Sequence, residues 1–180
     1  MIRAFLGLPL PDDVRDALVQ QQSLLPLPRR VEPEQLHLTL TFLGEVPEPV
    51  LLAAHEAFCA LRMAPFSISL QGLGLFGGAR PRTLWVGVAR SEALAALHAK
   101  TDRAARLAGC EVAARRFHPH VTLGRFPPPP GAEARRLERA VAAWAGQHYG
   151  EWIVSEMCLW QSRLTPKGPI YDVLAEYPFD

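Results

Sequence analysis

The stretch that decides the fold of this chain is Phe117-His118-Pro119-His120-Val121-Thr122-Leu123-Gly124-Arg125. It has a counterpart far upstream, Leu36-His37-Leu38-Thr39-Leu40-Thr41-Phe42. Both stretches contain the pattern His-x-Thr-Leu, and their histidines, His37 and His120, lie 83 positions apart (120 − 37). The repetition of this pattern is the main functional signal in the sequence.

Both stretches alternate between polar and apolar side chains. Because successive side chains of a strand point to opposite faces of a sheet, this alternation predicts two half-buried strands. Each strand is expected to bury its aliphatic side and to present imidazole and hydroxyl groups together on the other side. The polar faces are His37, Thr39 and Thr41 on the first strand, and His118, His120 and Thr122 on the second.

Two histidines with nearby threonines suit phosphoryl transfer without a metal ion. One imidazole can take a proton from the attacking oxygen while the other gives a proton to the leaving oxygen. Threonine hydroxyls can donate hydrogen bonds to the non-bridging phosphate oxygens, where negative charge accumulates. We therefore take His37 and His120 as the candidate catalytic pair, with Thr39 and Thr122 as phosphate ligands and with no cofactor.

Other interpretations of these residues remain open. A single His-x-Thr on a strand is usually a polar pair on a solvated face, whereas two matching copies favour function. His118 and His120 also form a His-x-His pair to which His37 could be added as a metal ligand, but no carboxylate is evident beside them. His118 precedes Pro119, which restricts its backbone, so we interpret it as a supporting residue and not as a third catalytic group.

Composition places the chain among soluble globular proteins. It has 180 residues, 49% hydrophobic and 21% charged, which predicts a single domain over residues 1–180. No apolar run is long enough for a membrane span, and the N-terminus does not resemble a signal peptide. Three widely spaced cysteines favour a reducing compartment, so we expect a cytoplasmic protein. A net charge of +1 argues against a protein that binds polyanions over its whole surface. A monomer is the default expectation.

The remaining chain predicts alternating strands and helices. Helices are expected over about 11–24, 47–61, 92–107 and 132–144, and strands over 2–8, 66–75, 83–89, 152–160 and 170–176, with a turn at 166–169. The block up to residue 89 resembles the block that follows it, as if one unit were used twice. We therefore predict an α+β fold with two pseudo-symmetric lobes and mainly antiparallel sheets, with helices outside and one central groove that carries both motif strands.

Nearly the whole chain resembles the 2H phosphoesterase superfamily, and specifically the bacterial and archaeal RNA 2′,3′-cyclic phosphodiesterases, also called 2′-5′ RNA ligases. The resemblance rests on the two His-x-Thr motifs, with support from the opening segment 1–8 and the tail from Leu159 to Tyr171. It implies the two-lobed architecture, with His37 as proton donor to the leaving ribose oxygen and His120 as the base that activates water. It also implies an RNA with a 2′,3′-cyclic phosphate end as substrate, a tRNA-derived end being one candidate, and a 2′-phosphomonoester as product.

The resemblance adds two residues, Phe42 and Arg125, each five positions after a motif histidine. It places Arg125 at the phosphate and allows Phe42 to stack on a base or ribose. Strict alternation would put both on the opposite face from their histidines, and Gly124 offers a bulge that would bring Arg125 back. No such device is visible for Phe42, for which core packing is an equal expectation. Trp85, Arg115 and Arg116 are further candidates for lining the groove, although packing or a solvated surface is favoured for each.

Three alternatives to cyclic phosphate hydrolysis remain at this point. One is a chain that joins RNA ends reversibly through 2′-5′ linkages, and another is an enzyme that acts on a different cyclic nucleotide. The third is a module that binds RNA ends without turnover, although two intact motif histidines speak against a pure binder.

Overall fold

A computed structural model describes residues 1–166 and 168–180. Within these residues the chain forms an eight-stranded sheet and four α-helices, with a short 3-10 turn at Pro33–Gln35. In chain order the elements are β1 (Ile2–Pro9), α1 (Asp12–Leu24), β2 (His37–Val46), α2 (Glu48–Cys59), β3 (Phe66–Phe76), β4 (Thr83–Val88), α3 (Glu92–Leu107), β5 (His120–Arg125), α4 (Gly131–Ala143), β6 (His148–Val154), β7 (Glu156–Thr165) and β8 (Gly168–Pro178).

The strands run in the order β6-β3-β4-β5-β2-β1-β7-β8, and every pair is antiparallel. At the centre, β2 and β5 share a single register pair, Leu38 with Val121. This narrow junction divides the sheet into two sets of four strands. We call β2, β1, β7 and β8 the first-motif lobe, and β5, β4, β3 and β6 the second-motif lobe. The predicted α+β fold with two pseudo-symmetric lobes is therefore confirmed.

The two lobes are intertwined and are not consecutive halves of the chain. β3 follows β2 in sequence but pairs with β4 and β6, and β7 follows β6 but pairs with β1 and β8. The single strand predicted over 152–160 is consequently wrong. The chain leaves the strand at Ser155 because β6 belongs to one lobe and β7 to the other. The turn predicted at 166–169 includes Lys167, which lies outside the described residues.

The helices pack on the face of the sheet that carries the aliphatic side chains. α1 follows β1 but lies against β5 and β6 of the second-motif lobe, and α3 follows β4 but lies against β2 of the first-motif lobe, so each helix packs on the lobe opposite to the strand that precedes it. Ser91 begins α3 as predicted, since its hydroxyl accepts a hydrogen bond from the backbone N–H of Leu94 at 3.2 Å. None of the helices in the described residues is both long and apolar enough to cross a membrane.

The core lies between the helices and the sheet and is mainly aliphatic. Its fully buried members include Leu38 and Leu123 of the motif strands. This face therefore anchors both strands and leaves their polar side chains on the opposite face of the sheet.

Candidate active site

The two motif strands meet at the lobe junction, where a cavity of about 720 Å³ opens between the lobes. We call this cavity the groove. Five of the six residues predicted for the site line it: Thr39, Phe42, His120, Thr122 and Arg125. The sixth, His37, lies directly beside them, with its Nε2 3.1 Å from the hydroxyl oxygen of Thr39. Residues that are far apart in sequence thus form one site.

His37 lies in an aromatic enclosure built by the first-motif lobe. Its ring centroid is 4.7 Å from that of Phe5, 5.7 Å from that of Trp160 and 5.1 Å from that of Tyr171. Burial among these rings penalises the charged imidazolium, and it lowers the pKa of His37 from 6.5 to about 4. The positive charges of Arg125 and His120 act in the same direction, while the hydrogen bond to the Gln35 carbonyl opposes them.

His120 has a similar but more open environment in the second-motif lobe. Its ring centroid lies 5.0 Å from that of Phe76 and 6.0 Å from that of Trp85. Burial again lowers the pKa of His120, and the charges of His118, Arg125 and Arg115 lower it further against the effect of its backbone hydrogen bond. Burial therefore disfavours the protonated form of both motif histidines, and an anion beside either ring would oppose this effect.

Both histidines are oriented by the same backbone device. The Nδ1 of His37 lies 2.7 Å from the carbonyl oxygen of Gln35, and the Nδ1 of His120 lies 2.6 Å from that of His118. A carbonyl oxygen can only accept, so each Nδ1 carries a hydrogen and donates it to the residue two positions earlier. In each neutral ring Nε2 is therefore the basic nitrogen, and that of His37 accepts a hydrogen bond from the Thr39 hydroxyl.

The motif strands also share a β-bulge at corresponding positions. In β2, Gly7 of the neighbouring strand pairs with Thr39 and Leu6 with Thr41, so that Leu40 is the extra residue. In β5, Trp85 pairs with Thr122 and Leu84 with Gly124, so that Leu123 is the extra residue. Each extra residue lies three positions after the motif histidine. One extra residue reverses the alternation of faces beyond it.

The bulges correct two predictions made from alternation. Thr41 does not share a face with His37 and Thr39; it is 2% exposed, and its hydroxyl lies 2.9 Å from that of Thr101 in α3. Phe42 instead faces the groove, so the expectation that it sits opposite its histidine is wrong. Arg125 returns to the groove through the bulge beside Gly124, as anticipated.

Gly124 fits this position because there is no room for a side chain. A Cβ placed there would lie 2.8 Å from the backbone oxygen of Arg29 and 2.8 Å from the Leu27 side chain. The segment before β2 therefore packs directly on the bulge that turns Arg125.

Further residues line or enclose the site. Arg115 and Arg116 both contribute to the wall of the groove, and the guanidinium carbon of Arg3 lies 4.8 Å from the ring centroid of Phe42. Sequence patterns did not identify the enclosure of His37, because Phe5, Trp160 and Tyr171 come from three strands whose register is set by long-range pairing. Only aromatic residues at matching positions of several strands could have indicated this enclosure from the sequence.

His118 supports the neighbouring histidine through its backbone carbonyl. Its ring packs edge-on against Trp85, with centroids 4.6 Å apart. It lies before β5, which begins at His120, and not within the strand that alternation predicted. Among the described residues, no group of three or more His, Cys, Asp or Glu side chains is arranged to hold a metal ion.

Comparison with known proteins places this fold and site in a family. The family model for the 2′-5′ RNA ligase superfamily matches residues 10–165. The RNA 2′,3′-cyclic phosphodiesterase of Archaeoglobus fulgidus is 32% identical over 174 residues, covering 94% of this chain and 96% of the relative. The protein of the same name from Thermus thermophilus is 34% identical over 192 residues, covering 98% of this chain and 89% of the relative.

Solved structures share the architecture of this chain. The crystal structure of TT0787 of Thermus thermophilus superposes with a TM-score of 0.80 at 33% identity, covering 99% of this chain and 98% of the other. E. coli LigT complexed with 3′-AMP superposes with a TM-score of 0.79 at 24% identity and shares the fold, covering 99% and 97% of the two chains. With two His-x-Thr strands meeting at the junction of two pseudo-symmetric lobes, and with matches over most of its length, this chain belongs to the 2′-5′ RNA ligase superfamily.

Proposed function

We propose that this protein hydrolyses RNA 2′,3′-cyclic phosphate ends to 2′-phosphomonoesters by a metal-independent mechanism in which two histidines act as acid and base. The chain is a cyclic phosphodiesterase of its superfamily, in keeping with its curated relatives. The observation that carries the proposed mechanism is the matched pair of histidines at one groove, each with Nδ1 held by a backbone carbonyl and Nε2 left as the basic nitrogen.

In the proposed reaction the water oxygen forms a bond to phosphorus while the bond from phosphorus to O3′ breaks. His120 Nε2 takes the proton from the attacking water, and His37 Nε2 gives its proton to O3′ as that oxygen leaves. The cyclic phosphodiester carries one negative charge, which favours the protonated form of a histidine next to it. Substrate binding therefore supplies the proton state that burial disfavours in the free protein.

Thr39, Thr122 and Arg125 are proposed to hold the non-bridging phosphate oxygens. All three side chains line the groove, and the charge of Arg125 influences both histidines. Donors fixed before the reaction stabilise charge that develops in the transition state. Phe42, stacked with Arg3 at the wall of the same groove, is proposed to contact the terminal base or ribose.

The direction of proton transfer can be tested with a substrate whose 3′ oxygen is replaced by sulfur. A thiolate leaves without protonation, so His37→Ala should lose activity on the normal substrate and regain it on the thio substrate. His120→Ala should be inactive on both. Rescue of His120→Ala in place of His37→Ala would reverse the assignment, and rescue of neither would remove His37 as the acid.

Metal independence is tested by dialysis against EDTA before the assay. Activity that is unchanged by EDTA, with a 2′-phosphate as product, supports the proposal, whereas activity restored only by a divalent cation refutes it. If the wild-type protein binds RNA with a cyclic phosphate end but does not hydrolyse it, with or without a divalent cation, a binding module is favoured instead. Formation of a 2′-5′ linkage from paired ends would favour a ligase.

We further propose a cytoplasmic monomer acting on RNA ends, including those of tRNA. Its three cysteines are free thiols, which suits a reducing compartment. Light scattering during gel filtration would test the monomer.

A further inference from the structure

The backbone carbonyl of the extra residue in the β5 bulge accepts its hydrogen bonds from α1 and from the segment before β2, where Arg30 forms an isolated antiparallel bridge with Gly124. Leu123 is the extra residue in the pairing with β4, and it is completely buried. A bulge interrupts the ladder of hydrogen bonds, and a buried carbonyl without a partner is costly. The Leu123 oxygen instead accepts hydrogen bonds from the side-chain Nε2 of Gln22 at 2.8 Å and from the backbone N–H of Val31 at 2.9 Å.

Gln22 is therefore a buried polar residue with a defined task. It lies in α1, is 2% exposed, and reaches Leu123 of the second-motif lobe with its side-chain amide. The same Nε2 also donates to the carbonyl oxygen of Val31 at 2.9 Å. One amide group thus ties together the bulge and the segment that lies on it, two positions before Arg125.

The other bulge is held in the same manner. Leu40 is the extra residue at the first of two register shifts along β2, and its carbonyl oxygen lies 3.0 Å from Nδ1 of His98 in α3, which donates to it. In both lobes, then, the helix that packs on a motif strand supplies a side-chain donor to an extra residue of that strand. In both lobes the residue two positions further on faces the groove.

We propose that Gln22 is a positioning residue for Arg125. By satisfying the Leu123 carbonyl it fixes the bulge, and the bulge keeps the guanidinium aimed at the phosphate. This inference rests on the proposed function, because it assigns Arg125 to the phosphate. It predicts that Gln22 acts on phosphate binding and turnover only through Arg125.

The test is a double-mutant cycle with Gln22→Met and Arg125→Ala, followed by kcat/KM on RNA with a cyclic phosphate end and by the affinity for inorganic phosphate. Gln22→Met keeps the length and volume of the side chain and removes both donated hydrogen bonds. Misplacement of a group at a reacting centre by about 1 Å costs up to roughly 100-fold, so we expect kcat/KM to fall about 10- to 100-fold. In the Arg125→Ala background the same change should have no further effect.

Gln21→Met is the matched control. Gln21 is the neighbouring residue in α1, it is 5% exposed, and its side-chain nitrogen finds no hydrogen-bond partner among the described residues. This variant should keep wild-type activity and phosphate affinity. If Gln22→Met does not fold, as judged by circular dichroism, Gln22→Asn replaces it, because it keeps the amide and shortens its reach by one methylene.

The outcomes separate the inference from the function on which it rests. An effect of Gln22→Met that multiplies with that of Arg125→Ala, or no effect of Gln22→Met while Arg125→Ala is impaired, overturns the positioning role. If Arg125→Ala itself retains full activity and phosphate affinity, both the role of Arg125 and the inference fall. If the wild type does not hydrolyse the cyclic phosphate, the proposed function fails. The inference still stands in that case if Gln22→Met weakens phosphate binding only when Arg125 is present.

Discussion

The aromatic enclosure of His37 should control the pH at which this histidine gains a proton. The difference between a pKa of 6.5 and one of about 4 corresponds to a preference of about 3 kcal/mol for the neutral ring. Phe5, Trp160 and Tyr171 form the enclosure, and Tyr171 belongs to β8, at one edge of the sheet. Truncation of Tyr171 therefore opens the enclosure to water with little disturbance of the core.

We expect Tyr171→Ala to raise the pKa of His37. If one of three enclosing rings provides about a third of the effect, the change is ~1 kcal/mol, which raises the pKa by about 0.8. Water admitted next to the ring stabilises the imidazolium, so the direction is upward, toward 6.5. The limb of the kcat/KM profile that His37 governs should move toward neutral pH by the same amount.

The assay is an NMR titration of the imidazole resonances between pH 3 and 8, assigned with a His37→Ala variant. Val173→Ala is the control, because this residue lies in the same strand and is 52% exposed. The reasoning is refuted if His37 of the wild type titrates near 6.5, or if Tyr171→Ala leaves its pKa unchanged. An equal change in Val173→Ala would show that β8 as a whole, and not the ring of Tyr171, sets the pKa.

Charge, burial and hydrogen bonding at the site lead to three more predictions. Arg125→Met should raise the pKa of both motif histidines, since the charge of Arg125 lowers each, and should move the pH–rate profile toward alkaline pH; Arg125→Lys keeps the charge and should leave the profile in place. Folding lowers the pKa of His37, so the contribution of this residue to the free energy of unfolding is fully present above about pH 6.5 and is lost as the pH falls toward 4. When the free energy of unfolding in urea is plotted against pH, wild type and His37→Gln should therefore differ in slope in that window and run parallel outside it. Thr41→Val should cost roughly 1–3 kcal/mol of unfolding free energy by breaking its buried contact with Thr101, and should leave kcat/KM close to wild type because Thr41 is 2% exposed and its hydroxyl is engaged with Thr101.

Local patterns were sufficient for the parts of this fold that depend on local physics. Alternation predicted both motif strands, and Ser91 predicted the start of α3 because a hydroxyl at that position satisfies a free N–H. The change of lobe at Ser155 carried no such signal. It has neither glycine nor proline beside it, and it is imposed by the pairing of β6 with β3 and of β7 with β1.

The bulges mark the limit of alternation as a guide to the site. A period of two contains no information about an inserted residue, and an insertion inverts the faces of everything after it. Gly124 provided a hint of the second bulge, because only glycine tolerates the close approach of the Arg29 backbone. Leu40 provided none for the first. The five-residue offset shared by Phe42 and Arg125 was visible, but its meaning required the matched bulges and the hydrogen bonds that hold them.

The pseudo-symmetry of the backbone makes the differences between the two lobes informative. Each lobe offers the same elements: a histidine held through Nδ1, a threonine two positions later, a bulge and a residue turned into the groove. The lobes differ in the residue that follows the bulge and in the enclosure of the histidine. The first-motif lobe places the ring of Phe42 in the groove and encloses His37, whereas the second-motif lobe places the guanidinium of Arg125 there and leaves His120 more open. The proposed acid–base mechanism needs one imidazole protonated and the other neutral, and different surroundings assign these two states to particular rings. Under the proposed mechanism, divergence of the residues around a repeated backbone is what would allow two copies of one motif to take the roles of acid and base.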